Sequence, residues 1–189
     1  MSTALRLNLT QYHRMVDSGA FNQFDNRIEL IRGELRQMNP AGPIHGDLID
    51  ELTRWSHLVT TAKDCRIRIQ SGISLLGVQA EDDSEPEPDV AWLRPRRYAA
   101  AHPTANDVML VIEVADSSLE YDTGEKAQLY ASAGLPEYWV VDVSGRRILC
   151  LTNPSAGGYE SQSIAHLGDR IPPQCLPNAC LDVADLFAF

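Results

Sequence analysis

Apolar positions along the chain recur with two periods, and the changes between them mark out the elements. Val108 to Ile112 is an unbroken apolar run, the pattern of a strand covered on both faces, and the carboxylate Glu113 follows it at once. From Asp122 the spacing lengthens, so that Lys126, Leu129, Tyr130 and Ala133 fall on one face, the face that a helix beside a sheet turns inward. Asp122 with Glu125 three residues on has the form of a capping box, and Gly134 followed by Pro136 forms a stop. Tyr138 to Val143 is a second apolar strand. The stretch 107–142 is therefore expected to fold as strand, loop, amphipathic helix, strand.

An inward lysine in a first helical turn is out of place. The helix dipole disfavours a cation there by about 0.3–1 kcal/mol, so an anion should face it. Glu113 is the candidate.

The rest of the chain supplies a scaffold for this unit. Thr10 is expected to cap a helix over Gln11 to Asp17 that stops at Gly19, and Arg27 to Met38 alternates about Gly33 as a tight hairpin. Pro43 suits a first helical position, and Ile44, Leu48, Leu52, Trp55 and Val59 mark an amphipathic helix to about Thr61, with His45 beside the stripe. Arg66 to Gln70, Gly72 to Leu76 and Pro88 to Leu93 read as strands, the last opened by Asp89; Tyr98 to Asn106 is a linker. Arg146 to Leu151 returns from Tyr138 to Val143 through Ser144-Gly145, Tyr159 to Ala165 adds an edge, and Leu181 to Phe187 is a final apolar turn. This order predicts one α/β domain over 1–189, a mixed central sheet flanked by helices.

Composition narrows the class. With 44% hydrophobic and 22% charged residues in 189, the chain can bury a full core. No apolar stretch approaches the ~20 residues of a membrane span, and MSTALRLNLT lacks the apolar core of a signal peptide, so a soluble cytoplasmic protein without a membrane partner is expected. Cys65, Cys150, Cys175 and Cys180 lack CxxC spacing and read as reduced thiols. A formal net charge of −10 argues against binding nucleic acid by bulk electrostatics, although local patches can override it. Much of the acid lies in Glu81, Asp82, Asp83, Glu85 and Glu87, a loop expected to be mobile or to face away from any cleft; Arg94, Arg96 and Arg97 form a basic turn just after it.

Asp89, Glu113 and Lys126 are the parts that metal-assisted phosphodiester hydrolysis needs. Two carboxylates can hold Mg²⁺ with a backbone carbonyl such as that of Val114, and a lysine can orient the water or neutralise developing charge. Blander roles compete: Asp89 as a turn residue, a plain Glu113–Lys126 salt bridge, Asp122 as a helix cap, and Tyr130, Tyr138 and Trp139 as core. Glu34 or Glu29 can supply a third carboxylate, with Glu34 slightly favoured, and His45 is either accessory to the site or a helix-entry residue.

Pro88-Asp89, Ile112-Glu113-Val114, Asp122 with Lys126 and Tyr130, and Gly134-Leu135-Pro136-Glu137-Tyr138-Trp139 together resemble the Uma2 family of restriction-endonuclease-like proteins, within the PD-(D/E)XK nuclease superfamily. Arg27-Ile28-Glu29-Leu30 with Gly33-Glu34-Leu35, His45, Leu176-Pro177 and Leu181 to Phe187 extend the resemblance over most of the chain. It implies a restriction-endonuclease-like fold and an Mg²⁺- or Mn²⁺-dependent endonuclease acting on DNA. Asp89, Glu113 and the Val114 carbonyl would hold metal, Lys126 would assist the water, Glu34 and His45 would be accessory, and a homodimer would cut two strands. One departure from the superfamily is that Ala115 occupies the strand position of the usual lysine, a role the family pattern moves to Lys126. An inactive binding module on the same fold, or a nuclease for RNA or a small phosphodiester, are the alternatives.

Overall fold

The computed structural model describes residues 5–40 and 42–189; Met1 to Ala4, part of the stretch examined for a signal peptide, and Ala41 lie outside the described residues. Helix α1 (Leu9–Asp17), the hairpin β1 (Ile28–Ile31) and β2 (Glu34–Gln37), and helix α2 (Pro43–Val59) come first. Strands β3 (Arg66–Ile69), β4 (Val90–Leu93) and β5 (Val108–Ala115) follow, then a crossover made of α3 (Leu119–Tyr121), a π-helical turn over Asp122–Lys126, and α4 (Ala127–Ser132). Strands β6 (Glu137–Asp142), β7 (Arg147–Ser155) and β8 (Gly158–Ala165) complete one six-stranded sheet in chain order; β9 (Arg170–Ile171), β10 (Leu181–Asp182) and α5 (Val183–Leu186) close the chain. Within this sheet of the described residues β5 and β6 are the one parallel pair, which is why a helix must carry the chain back between them.

Alternation along the strands sorts side chains into two layers. Leu110, Ile112 and Val114 of β5 join Leu48, Leu52 and Trp55 of α2 and Phe187 on one face. There Trp55 stacks on Trp92 and Trp139 at ring-centroid distances of 5.1 and 5.9 Å. Val111 and Ala115 face the other way, toward Leu129 and Tyr130 of α4 and Ile31 of β1. Glu113 lies between them in sequence and so faces the α4 layer as well. Among the described residues, no helix is long and apolar enough to cross a membrane.

Several local expectations are corrected. Glu113 lies inside β5, which continues to Ala115 because the parallel ladder with β6 runs through it. The crossover helix begins at Leu119, so Asp122 is a buried member of the π turn, bonded by the Ser118 hydroxyl, rather than a cap. Lys126 is therefore not in a first turn, and its surroundings, not the dipole, set its state. Asn8 caps α1, reciprocated by Gln11, where Thr10 was expected. Gly72 to Leu76 makes isolated bridges only, Ser74 with Thr104 and Leu75 with Ser84.

The acidic loop is folded into the body of the protein. Asp83 and Glu85 are buried; Asp83 accepts the backbone N–H groups of Leu9 and Gly77, and the Glu85 N–H donates to the Leu30 carbonyl. The β1–β2 turn depends on this packing. Gly33, at φ +77°, sits so close to the Glu81 carbonyl that a Cβ would collide with it. Gly33→Ala is expected to lower stability by more than the ~1–2 kcal/mol of left-handed strain alone, measured as a fall in the urea midpoint.

Candidate active site

The register of β4 on β5 pairs Val90 with Ile112, which sets Asp89 opposite Glu113 on the α4 side of the sheet. Asp89 is fixed there from both sides: the Val114 N–H donates to its Oδ2 at 2.9 Å, and its own N–H donates to Glu113 Oε2 at 3.3 Å. From the layer above, Lys126 Nζ lies 2.8 Å from Glu113 Oε1 and 3.8 Å from Glu29 Oε2. Tyr130, four residues on and hence on the same helical face, donates its hydroxyl to Glu113 Oε1 at 2.7 Å. The Tyr138 hydroxyl donates to the Asp122 carbonyl at 3.0 Å, bracing the π turn that delivers Lys126. Such turns recur at functional sites because they re-aim a side chain without ending the helix.

His45, in the first turn of α2, places Nε2 3.2 Å from Asp89 Oδ2, and Gln70 Nε2 donates to Oδ1 at 3.2 Å. His45, Asp89, Glu113 and Lys126 line a cleft of about 340 Å³ whose rim carries Arg27, Arg36 and Tyr121. The structure thus brings together Asp89, Glu113, Val114, Lys126 and His45. It leaves Glu34 out: that side chain is exposed and paired with Arg36 at 3.0 Å and Arg6 at 3.7 Å. Glu29 enters instead, with no exposure at all. Strand β1 is covered on both faces, so charge alternation does not sort its residues into wet and dry. The signal was present in the sequence, since RIELI carries one carboxylate in an apolar run, as LVIEVA does.

The electrostatics are those of an acid-rich pocket. Glu29, Asp89, Glu113 and Asp122 are all buried, with Lys126 the one buried ammonium among them. Burial pushes the Glu113 carboxyl up to about 8 against the pull of Lys126, and it raises Asp122 as well. Burial also acts on Asp89, but bonds from His45 and the Val114 N–H, with the Lys126 charge, outweigh it and hold that carboxyl below its usual range. His45 is raised by its bond to Asp89. For Lys126, burial opposes the charge, but Glu113, Glu29 and Asp122 overcome it, so the ammonium stays protonated.

Both oxygens of Glu29 are buried without a hydrogen-bond partner, as is His45 Nδ1. Orphaned carboxylate oxygens are the donor type that a hard divalent cation takes, so the chemistry of this donor set suits Mg²⁺ or Mn²⁺, although among the described residues no three of the cleft's carboxylate and imidazole side chains bring donor atoms within 4.8 Å of one another. Two hydroxyl groups give no signal in the sequence. Tyr130 and Tyr138 are core residues by area, yet each spends its O–H on the site.

No curated protein matches the chain. Its fold is similar to that of a structure described as "Crystal structure of a putative nuclease belonging to DUF820 from Anabaena variabilis ATCC 29413", with a TM-score of 0.72, 14% identity, and 96% of this chain and 98% of that chain covered. The family model described as "Uma2: Putative restriction endonuclease" matches residues 9–184. With that match spanning nearly all of the sequence, the chain belongs to the Uma2 family.

Proposed function

We propose that the cleft is a metal-dependent nuclease site that hydrolyses phosphodiester bonds in DNA. The observation that carries this is the convergence of Lys126 on Glu113 at 2.8 Å beside Asp89, three ionisable groups buried together at the floor of a cleft. Asp89, Glu113 and the Val114 carbonyl would hold Mg²⁺ or Mn²⁺, with Glu29 as the third carboxylate. When bound, the cation supplies a Lewis acid and an acidified water.

The protein's own groups divide the remaining work. Lys126, held protonated by its carboxylates, acts as a donor to the scissile phosphate and its attacking water rather than as a base. Tyr130 fixes the Glu113 carboxylate through Oε1, and His45 fixes Asp89 through Oδ2. Arg27 and Arg36 at the rim offer guanidinium forks to flanking phosphates. A homodimer would supply the second site that duplex cleavage requires.

Calorimetric titration with Mn²⁺, paired with a substrate panel of duplex DNA, single-stranded DNA and RNA at fixed salt, tests this. The expected result is Mn²⁺ binding that Asp89→Asn abolishes, with cleavage of DNA in its presence. Absent binding would favour a second assignment, a binding module whose Glu113–Lys126 pair is purely structural. The net charge of −10 and the alanine at position 115 are what favour that alternative. Cleavage confined to RNA or a small phosphodiester would keep the site and change the substrate.

A further inference from the structure

A second cluster of ligating side chains lies outside the cleft. His13 of α1, Glu85 of the acidic loop and His102 of the segment before β5 each present one donor atom, and all three atoms lie within 4.8 Å of one another; among the described residues this is the one such group. His13 Nε2 is 2.8 Å from Glu85 Oε2, and His102 Nε2 is 3.9 Å from Oε1. None of the three lines the cleft.

The hydrogen bonds around the cluster orient it as ligands are oriented. His102 Nδ1 lies 3.2 Å from the Gly72 carbonyl, an acceptor only, so Nδ1 carries the proton. In the neutral ring, Nε2 then turns a lone pair toward the Glu85 carboxylate. That pair, at 3.9 Å, leaves a gap for something positive, whereas His13 Nε2 donates to both Glu85 oxygens at 2.8 and 3.0 Å and a bound cation would take the place of its proton. Backbone carbonyls bonded to the far nitrogen are the usual support of metal-bound imidazoles. Glu85 is fixed in turn: its side chain is 6% exposed, and the Ser74 hydroxyl donates to Oε2 at 2.8 Å. The two imidazoles stack, with centroids 5.6 Å apart.

We propose that His13, Glu85 and His102 form a binding site for a zinc-class divalent cation, with two imidazole nitrogens, one carboxylate oxygen and a fourth position for water. The two imidazoles set it apart from the oxygen-rich cleft, because nitrogen donors select Zn²⁺ over Mg²⁺. Its ligands come from three chain segments, with His13 and Glu85 separated by 72 positions, so a bound ion cross-links α1 and the pre-β5 segment to the acidic loop. The Glu85 N–H is bonded to the Leu30 carbonyl, next to Glu29, and the same loop leads into Asp89. The cross-link therefore buttresses the backbone behind two of the cleft carboxylates.

The test uses untagged, metal-stripped full-length protein titrated with Co²⁺ and followed by visible absorption, with Zn²⁺ as competitor. One equivalent giving the intense bands of a low-coordinate site is expected in the wild type and in Asp89→Asn, so that failure of the cleft assignment leaves this result untouched. His102→Ala, an exposed position that spares the fold, should weaken Zn²⁺ binding at least tenfold and remove the Zn²⁺-induced rise in Tm; His13→Ala and Glu85→Gln should do the same. Unchanged affinity in His102→Ala, a sulfur-to-cobalt charge-transfer band that reveals cysteine ligation, or no binding in a tenfold excess of metal would each overturn the assignment.

Discussion

Replacing Lys126 by methionine is expected to cut single-turnover cleavage by about 10²–10³-fold, the usual cost of removing one preorganised donor to developing charge. Methionine keeps an unbranched apolar stem as far as the ε position, so the α4 layer still packs. What it loses is the ammonium 2.8 Å from Glu113 Oε1. Mn²⁺ affinity should persist or rise, since one positive charge has left a pocket of four carboxylates. That split, binding kept and turnover lost, is the signature of a group acting on the substrate rather than on the metal. Full activity in Lys126→Met would remove the lysine from the mechanism. Tyr130→Phe should have a smaller effect, since it deletes one of the two donors to Glu113 Oε1 and leaves the charge in place.

A second large effect should appear in stability against pH. In the metal-free protein the Glu113 carboxyl is raised from 4.5 to about 8 by burial. Between those values the folded chain holds a proton that the unfolded chain has released. Its contribution is therefore fully present below the unfolded value and is lost as pH climbs through the folded one, at a slope of up to ~1.4 kcal/mol per pH unit. Asp122, Glu87 and Glu137 are also raised, chiefly by burial, and push in the same direction. His45, raised by Asp89, adds the same sign above its ordinary 6.5, whereas the depressed Asp89 acts in the opposite sense only in the acid range. Urea unfolding in EDTA should thus show stability falling from pH 5 to pH 8, more shallowly in Glu113→Gln. A flat or rising wild-type profile would contradict the burial of Glu113 in this pocket.

Much of this arrangement is legible in the sequence because two simple periods write it. Period two puts Asp89 and Glu113 on one face of adjacent strands, and helical spacing puts Lys126 and Tyr130 above them. Where those rules failed, a neighbour had intervened. Hairpin alternation gives Glu29 and Glu34 alike a wet face, which does not separate them, but β1 is covered on both sides and buries Glu29. The helix starts three residues before Asp122, because Asp122 and Glu125 only imitate a cap, while their real partners are Ser118 and Arg36, the second from a distant strand. His13, Glu85 and His102 have no local spacing to betray them; only the packed loop brings them together. A loop of five acids looks solvated, and nothing in its composition shows that Asp83 and Glu85 turn inward.

The π turn at Asp122–Lys126 separates two properties that most single-strand motifs bind together. The carboxylates are clamped by the ladder of the sheet, whereas the ammonium hangs on the phase of a helix, which advances about 100° per residue. Loss of one residue from that turn would leave every rung of the ladder in place and swing Lys126 out of the cleft. On the proposed function, catalytic competence and cation affinity would thus be inherited on separate parts of the chain. A lineage could shed the first by a single-codon deletion and keep the second whole.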